Sequence, residues 1–303
     1  MMRTALLFLS RQRWLRRWME TSSFAQPLTR RFIAGRTLEQ ELEVCRRLEA
    51  ENILATLDHL GENVTSVEES RTTRDSYLEI LDRIAAAGLR ATISAKPTQL
   101  GLDLGDEICR ENFCTLVERA KSLASAVEID MESSEYVDRT LRIVSAVHQQ
   151  SGSVRAVIQA YLFRSEADIR CLNEAGIPVR LVKGAYREPA TVAWPRKSDV
   201  DASFLRLTRH LLEHGTNPAI ATHDESIVKE TVSWIRSRRM NPGGFEFQML
   251  YGIRRDLQRR LVADGFRVRL YVPFGDAWYP YFMRRLAERP ANVIFLARNL
   301  LRS

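Results

Sequence analysis

Eight short apolar runs, each followed by a longer amphipathic one, recur from residue 38 onward. They are ILATLD (53–58), RATISAK (90–96), AVEID (126–130), RAVIQAY (155–161), VRLVKGA (179–185), AIATH (219–223), FEFQML (245–250) and RVRLYVP (267–273). Such runs, nearly continuous in apolar character, suit strands covered on both faces. The segments between them, such as RDSYLEILDRIAAAG and SEADIRCLNEAGI, carry helical spacing, and several end in glycine as helix C-termini do. Strands alternating with helices pair in parallel, and eight units in roughly 250 residues match a (βα)8 barrel. An open doubly wound sheet is the competitor, but the glycine-rich dinucleotide turn after its first strand is missing. We expect an α/β protein, a (βα)8 TIM-type barrel over residues 38–303 with extra N-terminal helices.

Charge separates the front of the chain from this body. The chain holds 45 basic and 38 acidic residues, a formal charge of +7, and residues 1–36 carry eight of the arginines against Glu20 alone. The remainder therefore balances at 37 against 37. A surface built for nucleic acid would be basic throughout, so no nucleic-acid partner is expected. Residues 1–37 read as a basic helical arm, in which TALLFLSRQRWLRRWM suits either docking on its own domain or, through residues 1–20, contact with an anionic membrane surface. Its apolar run is too short to span a bilayer. The four cysteines (Cys45, Cys109, Cys114, Cys171) form no CxxC, which fits a reducing, cytoplasmic setting, peripheral on the inner face of the cell membrane if the arm binds there. With no CxxC and no HExxH, no metal is expected.

Active sites of such barrels lie at the C-terminal ends of the strands. Those ends hold Asp58, Lys96, Asp130, Gln159 with Tyr161, Lys183 with Tyr186, His223, Gln248 and Tyr271. A ring of ionisable groups at one end of nearly every strand is costly to bury unpaired and marks a ligand-filled mouth. Shortly after the last run, WYPYFMRRLAERP places Tyr281, Arg284 and Arg285 on one helix face at i, i+3 and i+4. Forked guanidinium donors match a carboxylate or a phosphate.

The stretches LDHLGEN, SAKPTQLGLDL, VEIDMES, VIQAYLFR, VRLVKGAYREP, IATHD, FEFQMLYG, YVPFG and WYPYFMRRLAERPAN together resemble the FAD-dependent proline dehydrogenases in their compact bacterial single-function form. The similarity runs in order from about residue 28 to the C-terminus; RLVKGAY and YPYxxRRLAERPAN are its most specific parts. The resemblance implies a flavoprotein of proline catabolism that oxidises L-proline to Δ1-pyrroline-5-carboxylate, passing hydride to flavin N5 and electrons onward to a quinone. It implies that Arg284, Arg285 and Lys96 hold the substrate carboxylate, that Tyr271 and Tyr186 wall in the ring, and that Tyr281 supports the pocket. Asp130 would pair with Lys96, and Glu288 would pair with the arginines behind it. Gln159, Arg180, Lys183, Gly184, Ala185, Thr222, His223 and Gln248 would line the FAD, with Arg180 near N5.

The chemistry fits those roles. No ordinary side chain accepts two electrons from an amine, so a cofactor is required. The amine must lose its proton first, which predicts a rate that rises toward mildly alkaline pH. Two residues depart from the family pattern. Pro97 removes a backbone donor just after Lys96, and His59 stands where an aliphatic residue is usual and is expected to face solvent. Other readings of the same barrel are a methylenetetrahydrofolate reductase-like flavoenzyme and an aldolase using Lys96 or Lys183 as a Schiff base.

Overall fold

In the computed structural model, which describes residues 32–61 and 63–287 and only the backbone of 284–287, the eight runs close on themselves. The strands are β1 (Ile53–His59), β2 (Ala91–Ala95), β3 (Val127–Ile129), β4 (Val154–Gln159), β5 (Val179–Val182), β6 (Ala219–Ala221), β7 (Glu246–Leu250) and β8 (Val268–Phe274). All neighbours are parallel in chain order, and β8 closes on β1 with Tyr271 opposite Thr56. The helices are α1 (Leu38–Ala50), α2 (Val67–Ala86), α3 (Asp106–Ser122), α4 (Val137–Ser151), α5 (Ser165–Glu174), α6 (Lys197–His214), α7 (Glu225–Ser237), α8 (Arg255–Ala263) and α9 (Trp278–Ala287).

Local chemistry sets the helix ends. Thr37, Ser66 and Asp224 accept the free N–H groups that open α1, α2 and α7. Gly152 takes a left-handed φ of 80° to end α4.

The strands do not have the continuous apolar character that their composition leads one to expect. Leu57, Ile93, Ile129, Ile158, Leu181, Phe247 and Leu270 point outward beneath the helices and are wholly buried or nearly so. Each buried side chain of this kind contributes roughly 1.5–3 kcal/mol. The residues between them face the lumen, are also buried, and are polar: Glu128, Arg180, Glu246, Gln248 and Arg269. Small and branched residues flank each polar one, so the run looks apolar on average while its true period is two.

The lumen charges satisfy one another. Arg155 Nη1 donates to Glu128 Oε1 at 2.8 Å and to Glu246 Oε1 at 2.6 Å. Arg269 Nε meets Glu246 at 2.9 Å, and the Gln248 amide donates to both glutamates. Arg180 Nη1 pairs with Glu128. Buried ions persist only with such multiple partners.

The two ends of the described chain meet at the mouth. α1 packs on β1 and β8, covering the seam where the barrel closes. α9 joins Phe32, Ile33, Leu60 and Ile253 in a separate apolar cluster. Leu60 follows β1 and Ile253 follows β7, so α9 lies over the C-terminal ends of the strands. Ala34 N donates to Pro273 O at 3.1 Å and Gly275 N to Gly35 O at 3.2 Å, fastening residues 34–35 to the end of β8. Residues 1–31 of the expected arm lie outside the described residues. Among the described residues no helix is long and apolar enough to cross a membrane. Cys45, Cys109 and Cys114 are buried, Cys171 is exposed, and all four are free thiols. The histidines hold one helical i, i+4 pair, His210 and His214 on α6, with ring centroids 4.9 Å apart.

Burial alone would push the Glu246 carboxyl up, but Arg269 and Arg155 outweigh it and hold it well below the carboxylate range. The unfolded chain thus takes up this proton first on acidification, so the stabilisation is present above the unfolded value of about 4.3 and lost as pH falls. Glu246→Gln should cost about 3–5 kcal/mol at neutral pH by leaving two arginines under-compensated. It should also flatten the loss of stability below about pH 4. Urea unfolding at both pH values checks this, and an unchanged midpoint would refute it.

Candidate active site

β3 is three residues long, and the residue that follows it is the centre of the mouth. The Asp130 backbone N–H donates to Ala95 O at 3.0 Å, continuing the ladder by one step. Its carboxylate accepts from Ser94 Oγ at 2.7 Å and from the Tyr271 hydroxyl at 2.9 Å. Arg180 Nη2 bonds the same group directly, and Lys96 Nζ stands 3.6 Å away. Lys96 also donates to Asp58 at 3.2 Å. The Arg180 guanidinium lies 5.3 Å from the Tyr271 ring centroid, a cation–π distance.

These contacts fix the protonation states. Burial would lower the Lys96 pKa, but Asp58 and Asp130 outweigh it and raise it, so the ammonium keeps its proton well into the alkaline range. Burial would raise Asp130, but Arg180 and Lys96 hold it below the ordinary value. Tyr271 is pushed well up, first by burial and then by Asp130 and Asp58, and remains a donor. The Lys96 side chain keeps 26% of its surface exposed, against 1% for Asp58.

Pro97 suits the backbone that follows this lysine. Residues Pro97–Leu100 form a 3₁₀ turn with Pro97 in its first position, where an N–H has no intrahelical partner to lose. His59 is half-buried and not fully turned to solvent as expected. It stacks on Phe274 with centroids 5.0 Å apart and planes at 24°. A Cβ at Gly275, whose φ is 110°, would lie 2.9 Å from that imidazole.

The opposite wall comes from β4 to β7. Gln159 donates to the Glu132 carbonyl at 2.8 Å and accepts from Ala185 N at 3.4 Å. Gly184 has φ 120°, and a Cβ there would sit 2.4 Å from the Tyr161 ring, so only glycine fits. Lys183 Nζ is held by Asp201 at 2.5 Å and Asp224 at 2.9 Å. Thr222 Oγ1 accepts from Asp224 N at 3.1 Å, and His223 Nε2 accepts from Leu250 N at 2.7 Å, which leaves the proton of a neutral ring on Nδ1. Gln248 has its amide committed to the lumen network. Tyr186 is 41% exposed. Tyr281 is buried in the apolar cluster of α9. Arg284 and Arg285 lie on the same helix, where the backbone alone is described, and Glu288 lies outside the described residues.

Sequence reasoning brought Lys96, Asp130, Arg180 and Tyr271 together and gave no role to Glu128, Arg155, Glu246, Arg269, Asp201 or Glu132. For the strand residues Glu128, Glu246 and Arg269 the signal was the period of two: they precede Asp130, Gln248 and Tyr271 by two residues, so each points to the same side as its partner.

The family model for proline dehydrogenase matches residues 42–298. The chain belongs to the proline dehydrogenase family. Proline dehydrogenase 1 of Bacillus subtilis subsp. natto is 39% identical over 303 residues, 100% of both chains. The proline dehydrogenase of Deinococcus radiodurans is 38% identical over 91% of this chain and 90% of its own. Among solved structures, proline utilization A of Bdellovibrio bacteriovorus inactivated by N-propargylglycine matches with a TM-score of 0.81 and 25% identity. That match covers 87% of this chain, which spans 33% of that longer protein. Membership of the proline dehydrogenase family sets aside the reductase-like and Schiff-base readings. For Lys96 the second also conflicts with the local electrostatics, because a Schiff-base lysine must be neutral and Lys96 stands between two carboxylates.

Asp130→Asn should lower the Lys96 pKa by removing one of its two counter-ions, since the raised value depends on both. Amine labelling of Lys96 at pH 9, followed by peptide mass spectrometry, should then be several-fold faster than in the unsubstituted protein. Equal rates would contradict the assignment.

Proposed function

We infer that the protein oxidises L-proline to Δ1-pyrroline-5-carboxylate with FAD as cofactor and a quinone as electron acceptor. The observation that carries this reading is the full-length match to proline dehydrogenases in a chain whose mouth gathers Lys96, Asp130, Arg180 and Tyr271. On this reading the chain divides into a basic arm, 1–37, and a catalytic barrel, 38–303.

The donor set fits a flavin. Arg180 Nε is buried without a hydrogen-bond partner, and Ala185 N makes only a long bond to Gln159. Lys183, Thr222 and His223 stand at adjacent strand ends. These residues, with Gln159, Gly184 and Gln248, would hold FAD, Gln248 acting from beneath through Arg180. When bound, FAD supplies the two-electron acceptor that side chains lack.

The rest belongs to the chain. Lys96, Arg284 and Arg285 grip the one permanent charge of proline, its carboxylate, with charge-assisted bonds of roughly 1.5–3 kcal/mol each. Tyr271 and Tyr186 flank the ring, with Tyr281 supporting the pocket and Glu288 the arginines. Asp130 keeps Lys96 and Arg180 charged and in place. Lys96 and Tyr271 keep their protons and Asp130 stays ionised across neutral pH, so the group that must titrate is the substrate amine. Activity therefore rises from neutral to mildly alkaline pH. A quinone acceptor gives the Trp- and Arg-containing residues 1–20 a purpose as a peripheral anchor on anionic lipid.

An anaerobic visible spectrum should show oxidised flavin that bleaches with L-proline, while Arg285→Ala should need at least tenfold more proline for the same bleaching. Flavin that responds to NADH and not to proline would overturn the reading. Sedimentation with vesicles should depend on anionic lipid and be lost on deleting residues 1–20; indifference to lipid charge would remove the membrane part alone.

A further inference from the structure

Glu132, two residues beyond Asp130, is 7% exposed and makes three hydrogen bonds to two partners. Its carboxylate accepts the Thr98 N–H at 2.9 Å and the Thr98 hydroxyl at 2.8 Å. Its backbone carbonyl accepts the Gln159 amide at 2.8 Å. Thr98 is the second residue of the 3₁₀ turn that Lys96 opens, and Lys96 contributes no side-chain cap to it. The donors at the start of that turn can be accounted for one by one. Pro97 has none, and Gln99 N bonds Lys96 O at 3.1 Å. Only the Thr98 N–H needs an outside acceptor, and Glu132 supplies it. The same residue thus touches the segment that aims Lys96 and, through Gln159 and Ala185 N, the opposite wall.

We propose that Glu132 is a positioning residue: its carboxylate caps the Pro97–Leu100 turn, sets the reach of Lys96, and ties that lysine to the Gln159 wall. It touches no reacting atom, and its effect reaches substrate only through Lys96. The inference rests on the function proposed above for Lys96 and Gln159. Proline at position 97 has no N–H, so among the first two residues of the turn Thr98 alone offers a backbone donor to Glu132. Burial raises the Glu132 pKa, while the two Thr98 bonds and Lys96 pull it back.

The test compares Glu132→Ala, Glu132→Gln and Thr98→Val with the unsubstituted holoenzyme. A glutamine retains an acceptor for the Thr98 N–H and gains a donor for its hydroxyl, so it should rescue the geometry. The expected result is a proline KM raised about tenfold in Glu132→Ala with kcat within threefold, and both constants within about threefold in Glu132→Gln. Affinity for cyclopentanecarboxylate, read from perturbation of the flavin absorption band, should fall in parallel, because it reports carboxylate binding without turnover. Should Glu132→Ala not fold, Thr98→Val carries the test with an expected threefold rise in KM, and no rise overturns the proposal. Glutamine as damaging as alanine, or alanine without effect on KM, also overturns it. A protein that binds cyclopentanecarboxylate in this Glu132-dependent way but does not oxidise proline sinks the function and leaves the strut standing. A protein that takes up no flavin sinks both.

Discussion

The site depends on one carboxylate holding two cations. Asp130 lies between Arg180 and Lys96, with Tyr271 and Ser94 completing its shell, and every proposed role at the mouth assumes those cations stay charged and fixed. The arrangement is costly in isolation, since burying an ion loses several kcal/mol of hydration. It persists because the layer beneath is also paired. Arg180 reaches down to Glu128, Glu128 is shared with Arg155, and Arg155 is shared with Glu246 and through it with Arg269. The mouth and the lumen floor are one electrostatic unit, and an outward face of aliphatic side chains lets the helices cover it.

The sequence made much of this legible, unevenly. Strand positions could be read because turns and glycines bracket each run. The expected β1 ended at Asp58 and the observed strand ends at His59, while the expected β3 reached Asp130 and the observed strand ends at Ile129, one residue before the last ladder bond. The lumen charges were harder to see. Glu128 between Val127 and Ile129, or Arg180 between Val179 and Leu181, looks like an isolated interruption until the closed sheet brings those interruptions together. Periodicity fixes which side a residue faces, but which residues meet across a lumen depends on the stagger of eight strands, and no local signal carries that. Pro97 and His59 show the same limit. As letters they departed from a pattern; the 3₁₀ turn that welcomes the proline and the Phe274 ring that stacks on the imidazole are tertiary facts. The family resemblance was readable because its motifs lie in continuous stretches at strand ends and on the last helix.

The division of labour between the first and last helices follows from packing. A barrel's closing seam must be covered on its outer side, and α1 lies against β1 and β8 to do so. α9, the last described element, is thereby free to lie over the strand ends with Leu60 and Ile253. Beside the face read from the sequence as basic, the helix buries an aromatic set: Trp278, Tyr279, Tyr281 and Phe282.

This exchange separates two kinds of sequence constraint. Changes in α1 act on the seam between β1 and β8, and so bear on closure of the barrel. Changes in α9 act on a small cluster of its own, at the far end of the chain and away from the main core. The helix bearing the arginine pair is seated in that separate cluster, so a change to its buried aromatic side chains leaves the closing seam of the barrel covered.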